Sequence, residues 1–254
     1  MLENVTAPVV IGGTGGSGTR VVARIVRHAG FFIGRNLNDY EDAMEFVETN
    51  DRWINRYSLR DIAPLSQEEE SWFLRDYTAS VKRHRSPMPA DHLAWGWKEP
   101  RSIYVLTYLH QHWPELKFIH VIRDGRDMAC SSNQNQLRKH GAAVLRHELQ
   151  GLAPAVGSAS LWARINVNAG SYGETQMDSR YLRVKYESLC EAPESSISEI
   201  LRFLGAEDAR PTEQMLAEVS PPATIGRWRV LADSTTLASI RSVAGDALER
   251  FGYV

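Results

Sequence analysis

The chain has 254 residues, of which 43% are hydrophobic, and 29 Lys and Arg against 31 Asp and Glu give a formal net charge of −2. A chain of this length can bury about three quarters of its unfolded surface in one core, so we expect a single domain spanning residues 1–254. The balanced charge argues against a nucleic-acid partner, because proteins that contact many phosphates carry a basic excess.

The sequence also lacks the patterns of a secreted, metal-binding or membrane protein. Cys130 and Cys190 are too few for a disulfide framework, and no Cys/His tract has the spacing of zinc ligands. The first residues lack the basic and apolar regions of a signal peptide, and no apolar run reaches the roughly 18 residues of a membrane span. We therefore expect a cytoplasmic protein without a membrane span or a metal site.

The first elements in chain order are a buried strand, a glycine-rich turn and a helix. Residues 8–11 form a short apolar run that ends in glycines, and apolar residues recur at helical spacing over residues 19–29. Gly30 follows where a glycine commonly ends a helix. The apolar residues 31–33 then predict a second strand.

The next stretch predicts a helical insert. Aromatic residues recur at helical spacing between residues 43 and 85, and Ser66 with Glu69 matches a capping box, in which the two residues satisfy each other's backbone N–H groups. We place the insert at about residues 43–92 and expect it to shape the pocket of a second substrate, together with residues 133–136.

The second half of the chain alternates strands and helices. Strands are predicted at residues 93–97, 117–122 and 181–184, and apolar residues at helical spacing follow each of them. This alternation over the whole chain is typical of a parallel sheet covered on both faces. The predicted fold class is α/β: a doubly wound parallel sheet flanked by helices, with a helical insert.

Glycines are concentrated between the first strand and the first helix. Five of them lie within seven residues: Gly12, Gly13, Gly15, Gly16 and Gly18. Such a loop can point its backbone N–H groups at an anion, and the helix N-terminus adds partial positive charge. The loop therefore predicts a local phosphate site in a chain that is nearly neutral as a whole.

Two known nucleotide loops match this stretch in part. The P-loop of nucleotide triphosphatases and kinases has Gly-x₄-Gly-Lys-Ser/Thr, but Gly18 is followed by Thr19 and Arg20, so the lysine is missing. The dinucleotide fingerprint Gly-x-Gly-x-x-Gly also fits, although the acid at the expected offset, Asp39, follows a polar run. A nucleotide-dependent kinase and a Rossmann-type NAD(P) oxidoreductase thus stay open as alternatives.

Four segments in chain order resemble the sulfotransferases that use 3′-phosphoadenosine 5′-phosphosulfate (PAPS). Residues 15–20, Gly-Gly-Ser-Gly-Thr-Arg, resemble the 5′-phosphosulfate loop of that family. Residues 118–131 are similar to its 3′-phosphate motif, in which a strand ends in Arg and a Ser follows eight residues later. Residues 184–189 resemble the Tyr-Glu-x-Leu segment beside the adenine, and residues 225–229 resemble the Gly-x-Trp-Lys/Arg segment that closes over the nucleotide.

The resemblance implies a P-loop nucleotide-hydrolase-like sulfotransferase fold and a metal-independent transfer of a sulfuryl group. PAPS would be the donor, adenosine 3′,5′-bisphosphate (PAP) the product, and a hydroxyl or amine of a small molecule, lipid or carbohydrate the acceptor. A non-catalytic nucleotide-binding relative is a further alternative, and no pattern predicts an oligomeric state. The residues that the resemblance assigns to the nucleotide are Gly15, Gly16, Ser17, Gly18, Thr19, Arg20, Arg123, Ser131, Tyr186, Arg227, Trp228 and Arg229.

The chain departs from the family pattern at one catalytic position. Many members carry Lys or Arg just before the Ser-Gly-Thr of the loop, where this chain has Gly16. Arg20, one turn into the helix, could supply the missing cation. Lys98 is the other candidate, because Lys-Glu-Pro at a strand end resembles a Lys-x-Pro segment of some relatives.

The general base is expected among the acids after the second strand, where several relatives carry a Glu. A base must reach the acceptor hydroxyl and have a suitable pKa. Asp42 is the first candidate and Glu41 the second, with Glu99 as an alternative.

Overall fold

The structure is a computed structural model that describes residues 7–90, 92, 94–206 and 210–254. Residues 1–6, in which no signal peptide is predicted, and Leu93, where the third strand is predicted to begin, lie outside the described residues. Within these limits one parallel sheet forms with the strand order β2-β1-β3-β4. Its strands are β1 (Val9–Gly13), β2 (Gly96–Lys98), β3 (Lys117–Ile122) and β4 (Tyr181–Lys185).

The helices fill the connections between these strands and the C-terminal part of the chain. A 3₁₀-helix at Pro100–Val105 follows β2. The α-helices are α1 (Thr19–His28), α2 (Met44–Ser58), α3 (Gln67–Arg85), α4 (Leu106–His112), α5 (Gly125–Ala129), α6 (Asn135–Leu145), α7 (Pro154–Tyr172), α8 (Tyr186–Glu191), α9 (Pro193–Leu204), α10 (Glu213–Ala217), α11 (Trp228–Leu231) and α12 (Ser234–Arg250). In the described part of the chain, none of them is both long and apolar enough to cross a bilayer.

Helices cover both faces of the sheet, because neighbouring side chains of each strand point to opposite sides. On one face Val10 belongs to a core with side chains of α2, α3, α4 and α7. On the other face Val9 and Ile11 belong to a core with α1, α8 and α9. This arrangement confirms the predicted α/β fold with a doubly wound parallel sheet.

The predicted strand at residues 31–33 is wrong. Phe32 forms a single parallel bridge to Trp95, and the segment does not extend into a ladder. Gly30 and Gly34 have φ angles of +88° and +106°, so the backbone turns on both sides of these residues. Only three residues remain extended between the turns, which is too short for a strand of ordinary length.

The predicted helical insert consists of two helices, α2 and α3, joined by residues 59–66. The capping box at the start of α3 is confirmed: Glu69 N–H donates to Ser66 Oγ at 3.1 Å, and Ser66 N–H donates to Glu69 Oε2 at 2.8 Å. The insert packs onto the sheet through Phe46, which stacks on Trp97 of β2 with ring centroids 4.1 Å apart. This stacking fixes the start of α2 beside the end of β2.

Parallel pairing brings the ends of neighbouring strands to one edge of the sheet. Val9 of β1 pairs with Gly96 of β2 and with Lys117 of β3, so the strands run in the same direction from a common level. The segments that follow β1, β2 and β3 therefore meet at the carboxyl edge, where open α/β sheets bind their ligands.

Candidate active site

The glycine loop makes a tight turn from β1 into α1. Gly16 and Gly18 have φ angles of +87° and +93°, in the left-handed region that favours glycine. Gly13 lies against β3, because a Cβ there would come within 2.3 Å of the Val121 carbonyl oxygen. Ser17 N–H donates to Thr14 O at 3.2 Å and closes the turn.

Two hydroxyl groups of this loop are buried without a hydrogen-bond partner among the described residues. They are Ser17 Oγ and Thr14 Oγ1, and Ser17 is 0% exposed. Burying a polar group without a partner costs free energy, so such groups in a folded protein commonly meet a ligand or water. The loop thus contains two hydroxyl groups available to a ligand or water, next to the N-terminus of α1.

The ring of Tyr186 closes one side of the loop. A Cβ on Gly18 would come within 2.2 Å of Tyr186 Cδ2, so only glycine allows the ring to lie this close. Burial raises the pKa of Tyr186 to about 12, which keeps the phenol neutral. The guanidinium carbon of Arg123 lies 5.7 Å from the ring centroid, so an aromatic face and a cation border the same space.

Arg123, directly after β3, joins the loop to the C-terminal segment. Its side chain is buried, and Nη2 donates to Asp127 Oδ2 at 3.0 Å and to the carbonyl and hydroxyl oxygens of Thr224. Nη1 lies 3.5 Å from Gly16 O. The Nε–H of Arg123 is buried and has no partner in the described part of the chain, which leaves one donor for a ligand.

Arg227 and Trp228 belong to the C-terminal segment that contains Thr224, and they lie beside Arg123. Burial lowers the pKa of Arg227, and the nearby positive charge of Arg123 lowers it further. Two arginines that repel each other across a shared space favour an anion between them. The indole Nε1–H of Trp228 is buried and also has no partner among the described residues, while Arg126 and Arg229 stack on its ring at 4.0 and 4.8 Å.

Asp127 holds the segment that carries Arg227 and Trp228. Its Oδ2 accepts from Gly226 N–H at 2.8 Å, and its Oδ1 accepts from Trp228 N–H at 3.3 Å. Sequence reasoning did not assign Asp127 to the site. The only signal was its position four residues after Arg123, which also suits a local ion pair inside a helix.

Ser131 follows α5 at the edge of this group. Its Oγ accepts from the backbone N–H of Asn133 at 3.2 Å. The backbone carbonyl of Ser131 accepts from Gln134 Nε2 at 2.6 Å, which holds the turn into α6. Ser131 thus lies on the chain segment that links Arg123 to the start of α6.

The structure brings together Lys98 and Asp42, which were predicted separately. Lys98 ends β2 with a side chain that is 3% exposed, and its Nζ donates to Asp42 Oδ1 at 2.5 Å and to Tyr40 O at 2.7 Å. The other oxygen of Asp42 accepts from Asn38 Nδ2 at 3.0 Å. Because Lys98 ends β2 and pairs with Ile11 of β1, its backbone lies at the carboxyl edge of the sheet, where the glycine loop also begins.

The other two predicted bases have different surroundings. Burial opposes ionisation of Glu41, but hydrogen bonds from Arg24 and Arg27 outweigh it and hold the pKa of this carboxyl below its usual value. Burial raises the pKa of Glu99, against the attraction of Arg101, whose Nε donates to it at 2.8 Å. Asn50 donates to the second oxygen of Glu99, so this carboxyl is enclosed on both sides.

Arg20, the other candidate cation, has different surroundings from Lys98. It is exposed on α1, and it forms no ion pair with any residue that the structure describes. Of the two candidates, Lys98 is therefore the enclosed cation, while Arg20 is a surface residue. The described residues also contain no group of three or more His, Cys, Asp or Glu side chains placed to hold a metal ion.

The start of α6 covers the opposite side of the loop. A Cβ on Gly15 would lie 3.5 Å from Cδ of Gln136, and Tyr104 Oη donates to Gln136 Oε1 at 3.1 Å. This places the segment 133–136, predicted to shape an acceptor pocket, beside the loop that is predicted to hold the donor.

Comparisons with known proteins agree with this fold. A family model described as "Sulfotransferase family" matches residues 8–210. Comparison with curated protein sequences gives no match. Among solved structures, the sulfotransferase domain of the Synechococcus PCC 7002 olefin synthase is similar with a TM-score of 0.57 and 18% sequence identity, over 95% of each chain.

Two further structures share the fold. A sulfotransferase from Alicyclobacillus acidocaldarius gives a TM-score of 0.53 at 13% identity, over 94% of this chain and 96% of that one. Retinol dehydratase, solved in a complex with retinol and PAP, gives 0.51 at 15% identity, over 96% of this chain and 82% of that one.

Proposed function

Because the chain belongs to the sulfotransferase family, we propose that it transfers a sulfuryl group from PAPS to a hydroxyl or amine of an acceptor and releases PAP. The observation that carries this proposal is the juxtaposition of a phosphate-type glycine loop with two arginines, Arg123 and Arg227. One anion would lie at the loop and a second between the arginines, as a nucleotide with both a 5′ and a 3′ group requires. Retinol dehydratase, which shares the fold, was solved with PAP.

The donor would lie along the carboxyl edge of the sheet. Backbone N–H groups of residues 15–20 and the hydroxyl of Ser17, which has no partner among the described residues, would hold the 5′-phosphosulfate, with help from the N-terminus of α1. Arg123, whose Nε–H has no partner in the part of the chain that the structure describes, would hold the 3′-phosphate together with Ser131, Arg227 and Arg229. Tyr186 and Trp228 would flank the adenine, for which their rings offer apolar faces.

Lys98 would replace the lysine that the loop lacks. An ammonium group has three N–H donors, and Asp42 and the Tyr40 carbonyl take two of them. The third would meet the oxygen that joins phosphorus to sulfur, where negative charge grows as that S–O bond breaks. Its enclosure makes Lys98 a better placed cation than Arg20, because water screens an exposed charge.

Asp42 would act as the general base. It would accept the proton of the acceptor hydroxyl or amine while that atom forms its new bond to sulfur. Its contact with Lys98 places the group that receives a proton next to the group that stabilises the leaving oxygen. Glu41 is less suited, because its carboxylate bonds Arg24 and Arg27 of α1 and not the lysine that would meet the leaving oxygen.

The transfer would proceed without a metal ion. The SO₃ group is formally neutral during transfer, so the negative charge to be stabilised is mainly that on the leaving phosphate. Backbone N–H groups, Lys98 and the arginines would supply that stabilisation.

The acceptor would enter between the helical insert and the start of α6, within one domain formed by residues 1–254. Gln136 and Tyr104 border the loop on this side. A small molecule, a lipid or a carbohydrate is the proposed acceptor class, and the protein would act in the cytoplasm.

Thermal unfolding with different nucleotides tests the donor. PAP at a hundred times its Kd should stabilise the fold by about 2.7 kcal/mol without Mg²⁺. For a chain of this length, that corresponds to an increase in Tm of about 5–11 °C. Stabilisation by ATP with Mg²⁺ or by NAD, but not by PAP, would contradict the proposal in favour of a kinase or an oxidoreductase.

A further inference from the structure

We propose that Asp127 is a positioning residue that couples recognition of the donor 3′-phosphate to the docking of the C-terminal segment 224–229. The inference deepens the proposed function and rests on it, because it concerns the arginine that would bind this phosphate. It adds that Arg123 and the segment 224–229 act as one unit, which the carboxylate of Asp127 holds together.

Both carboxylate oxygens of Asp127 accept hydrogen bonds that connect Arg123 with the segment. The side chain is 1% exposed, and Oδ2 accepts from Arg123 Nη2 at 3.0 Å and from Gly226 N–H at 2.8 Å. Oδ1 accepts from Trp228 N–H at 3.3 Å. One buried carboxylate thus joins the residue after β3 to two backbone groups about a hundred residues further along the chain.

Arg123 completes the connection from its own side. The Nη2 that reaches Asp127 also donates to the backbone carbonyl and the hydroxyl of Thr224. The start of the segment is therefore bonded to Arg123, and its middle is bonded to Asp127. A ligand that fixes the orientation of the Arg123 side chain therefore also influences where this segment docks.

Apolar contacts hold the segment at Ile225, which packs against the core of α1, α8 and α9, but not in the residues that follow the segment. Val230 and Leu231, in α11, are 86% and 64% exposed, so neither packs into a core. The indole of Trp228 lies against the guanidinium of Arg126. After Ile225, polar contacts of Gly226 and Trp228 with Asp127 of α5 therefore hold the segment in the described structure.

A charge effect and a positioning effect of Asp127 have opposite signs. If Asp127 only neutralised Arg123, its removal would leave a stronger positive potential and PAP would bind more tightly. If Asp127 orients Arg123 and docks the segment, its removal keeps the positive charge of Arg123 but leaves the hydrogen-bond donors of Arg123 and the segment without a fixed orientation. PAP then binds more weakly.

Three variants separate the two effects. Asp127→Asn removes the charge and replaces one acceptor oxygen with an NH₂ donor. Asp127→Glu keeps the charge but displaces it by one methylene group, and it maintains the test if the Asn variant folds poorly. Asp233→Asn is the matched control, because it removes one carboxylate near the segment at a helix cap where Asn serves as well as Asp.

Limited trypsin digestion measures the docking without any ligand. Cleavage after Arg227 and Arg229, followed by mass spectrometry, should be faster in both Asp127 variants by about tenfold or more, as expected from losing charged hydrogen bonds. The unaltered protein and the control should be cut at the same slow rate. Equal rates in all four proteins would contradict the anchoring role.

Calorimetric titration with PAP and with adenosine 5′-monophosphate measures the coupling. The affinity ratio of the two nucleotides reports the 3′-phosphate, and it should fall by about tenfold or more in both Asp127 variants. Affinity for adenosine 5′-monophosphate should fall by a smaller factor, because Trp228 of the same segment would flank the adenine. An unchanged or larger ratio, while the unaltered protein prefers PAP, would overturn the coupling alone. An unaltered protein without any preference for PAP would overturn the proposed function, and the coupling with it.

Discussion

Replacing Gly18 with alanine tests the close contact between the glycine loop and Tyr186. Gly18 has a φ angle of +93°, and an added Cβ would lie 2.2 Å from Cδ2 and 2.4 Å from Cε2 of the ring. Gly30 is a matched control, because its φ angle is +88° and nothing lies within 4 Å of the same added atom. The two substitutions therefore share the backbone cost and differ in the steric one.

The expected losses of stability in the two variants follow from the backbone cost and the steric cost. An alanine in the left-handed region costs about 1–2 kcal/mol, which is the whole effect of Gly30→Ala. Overpacking against the Tyr186 ring adds about 1–3 kcal/mol in Gly18→Ala. For a chain of this length, Tm should fall by about 2–8 °C in the control and by about 4–20 °C in Gly18→Ala.

Circular dichroism during thermal unfolding measures the Tm of both variants. A double-mutant cycle with Tyr186→Ala isolates the contact, because removing the ring should remove the extra cost of Gly18→Ala and leave a coupling of about 1–3 kcal/mol. Equal losses of Tm in Gly18→Ala and Gly30→Ala, with no coupling to Tyr186, would refute the described loop geometry.

Four other perturbations test the site and the core. Lys98→Met should lower kcat by about 10²–10³-fold and also weaken PAP binding in calorimetry, because the oxygen that Lys98 would meet stays on the 5′-phosphate of PAP. Asp42→Asn should lower kcat by about 10²–10⁴-fold with nearly unchanged PAP affinity; a normal kcat would remove the residue concerned from the mechanism. Arg123→Met should weaken PAP binding by about 10–150-fold and adenosine 5′-monophosphate binding by a smaller factor, and an equal loss for both nucleotides would contradict its 3′-phosphate role. Burial lowers the pKa of His120 to about 4, below about 6.5 in an unfolded chain, so the unfolded state binds the proton first and stability should fall as pH drops from about 6.5 to about 4. In urea unfolding, His120→Gln should show a shallower dependence over this range, and an unchanged slope would refute the assignment.

Local patterns allowed the glycine loop to be predicted from the sequence. Apolar residues in β1, five clustered glycines and the helical spacing after Thr19 are all adjacent in the chain, and the structure contains the strand, the turn and the helix. The strand predicted at residues 31–33 failed because an apolar run does not show its backbone angles. The turns at Gly30 and Gly34 leave too few extended residues for a ladder.

Contacts between distant residues could not be predicted in the same way. Lys98 and Asp42 were each chosen for their chemistry, but their ion pair joins residues 56 positions apart, and the parallel pairing of β2 with β1 places Lys98 at the sheet edge where the loop begins. Asp127 was missed because its partners Gly226 and Trp228 are about a hundred residues away. A carboxylate that binds backbone N–H groups leaves no pattern in the partner sequence, since any residue except proline supplies that group.

The transfer of labelled sulfur from PAPS tests the central claim most directly. The unaltered protein, Lys98→Met and Arg123→Met would each be incubated with sulfur-labelled PAPS and a metabolite extract, with EDTA present. We expect the unaltered protein to form a labelled product with one PAP released for each label transferred, and both variants to form far less. Tight binding of PAP by the unaltered protein, without transfer of label to any acceptor, would contradict the claim and leave a nucleotide-binding protein without sulfotransferase activity.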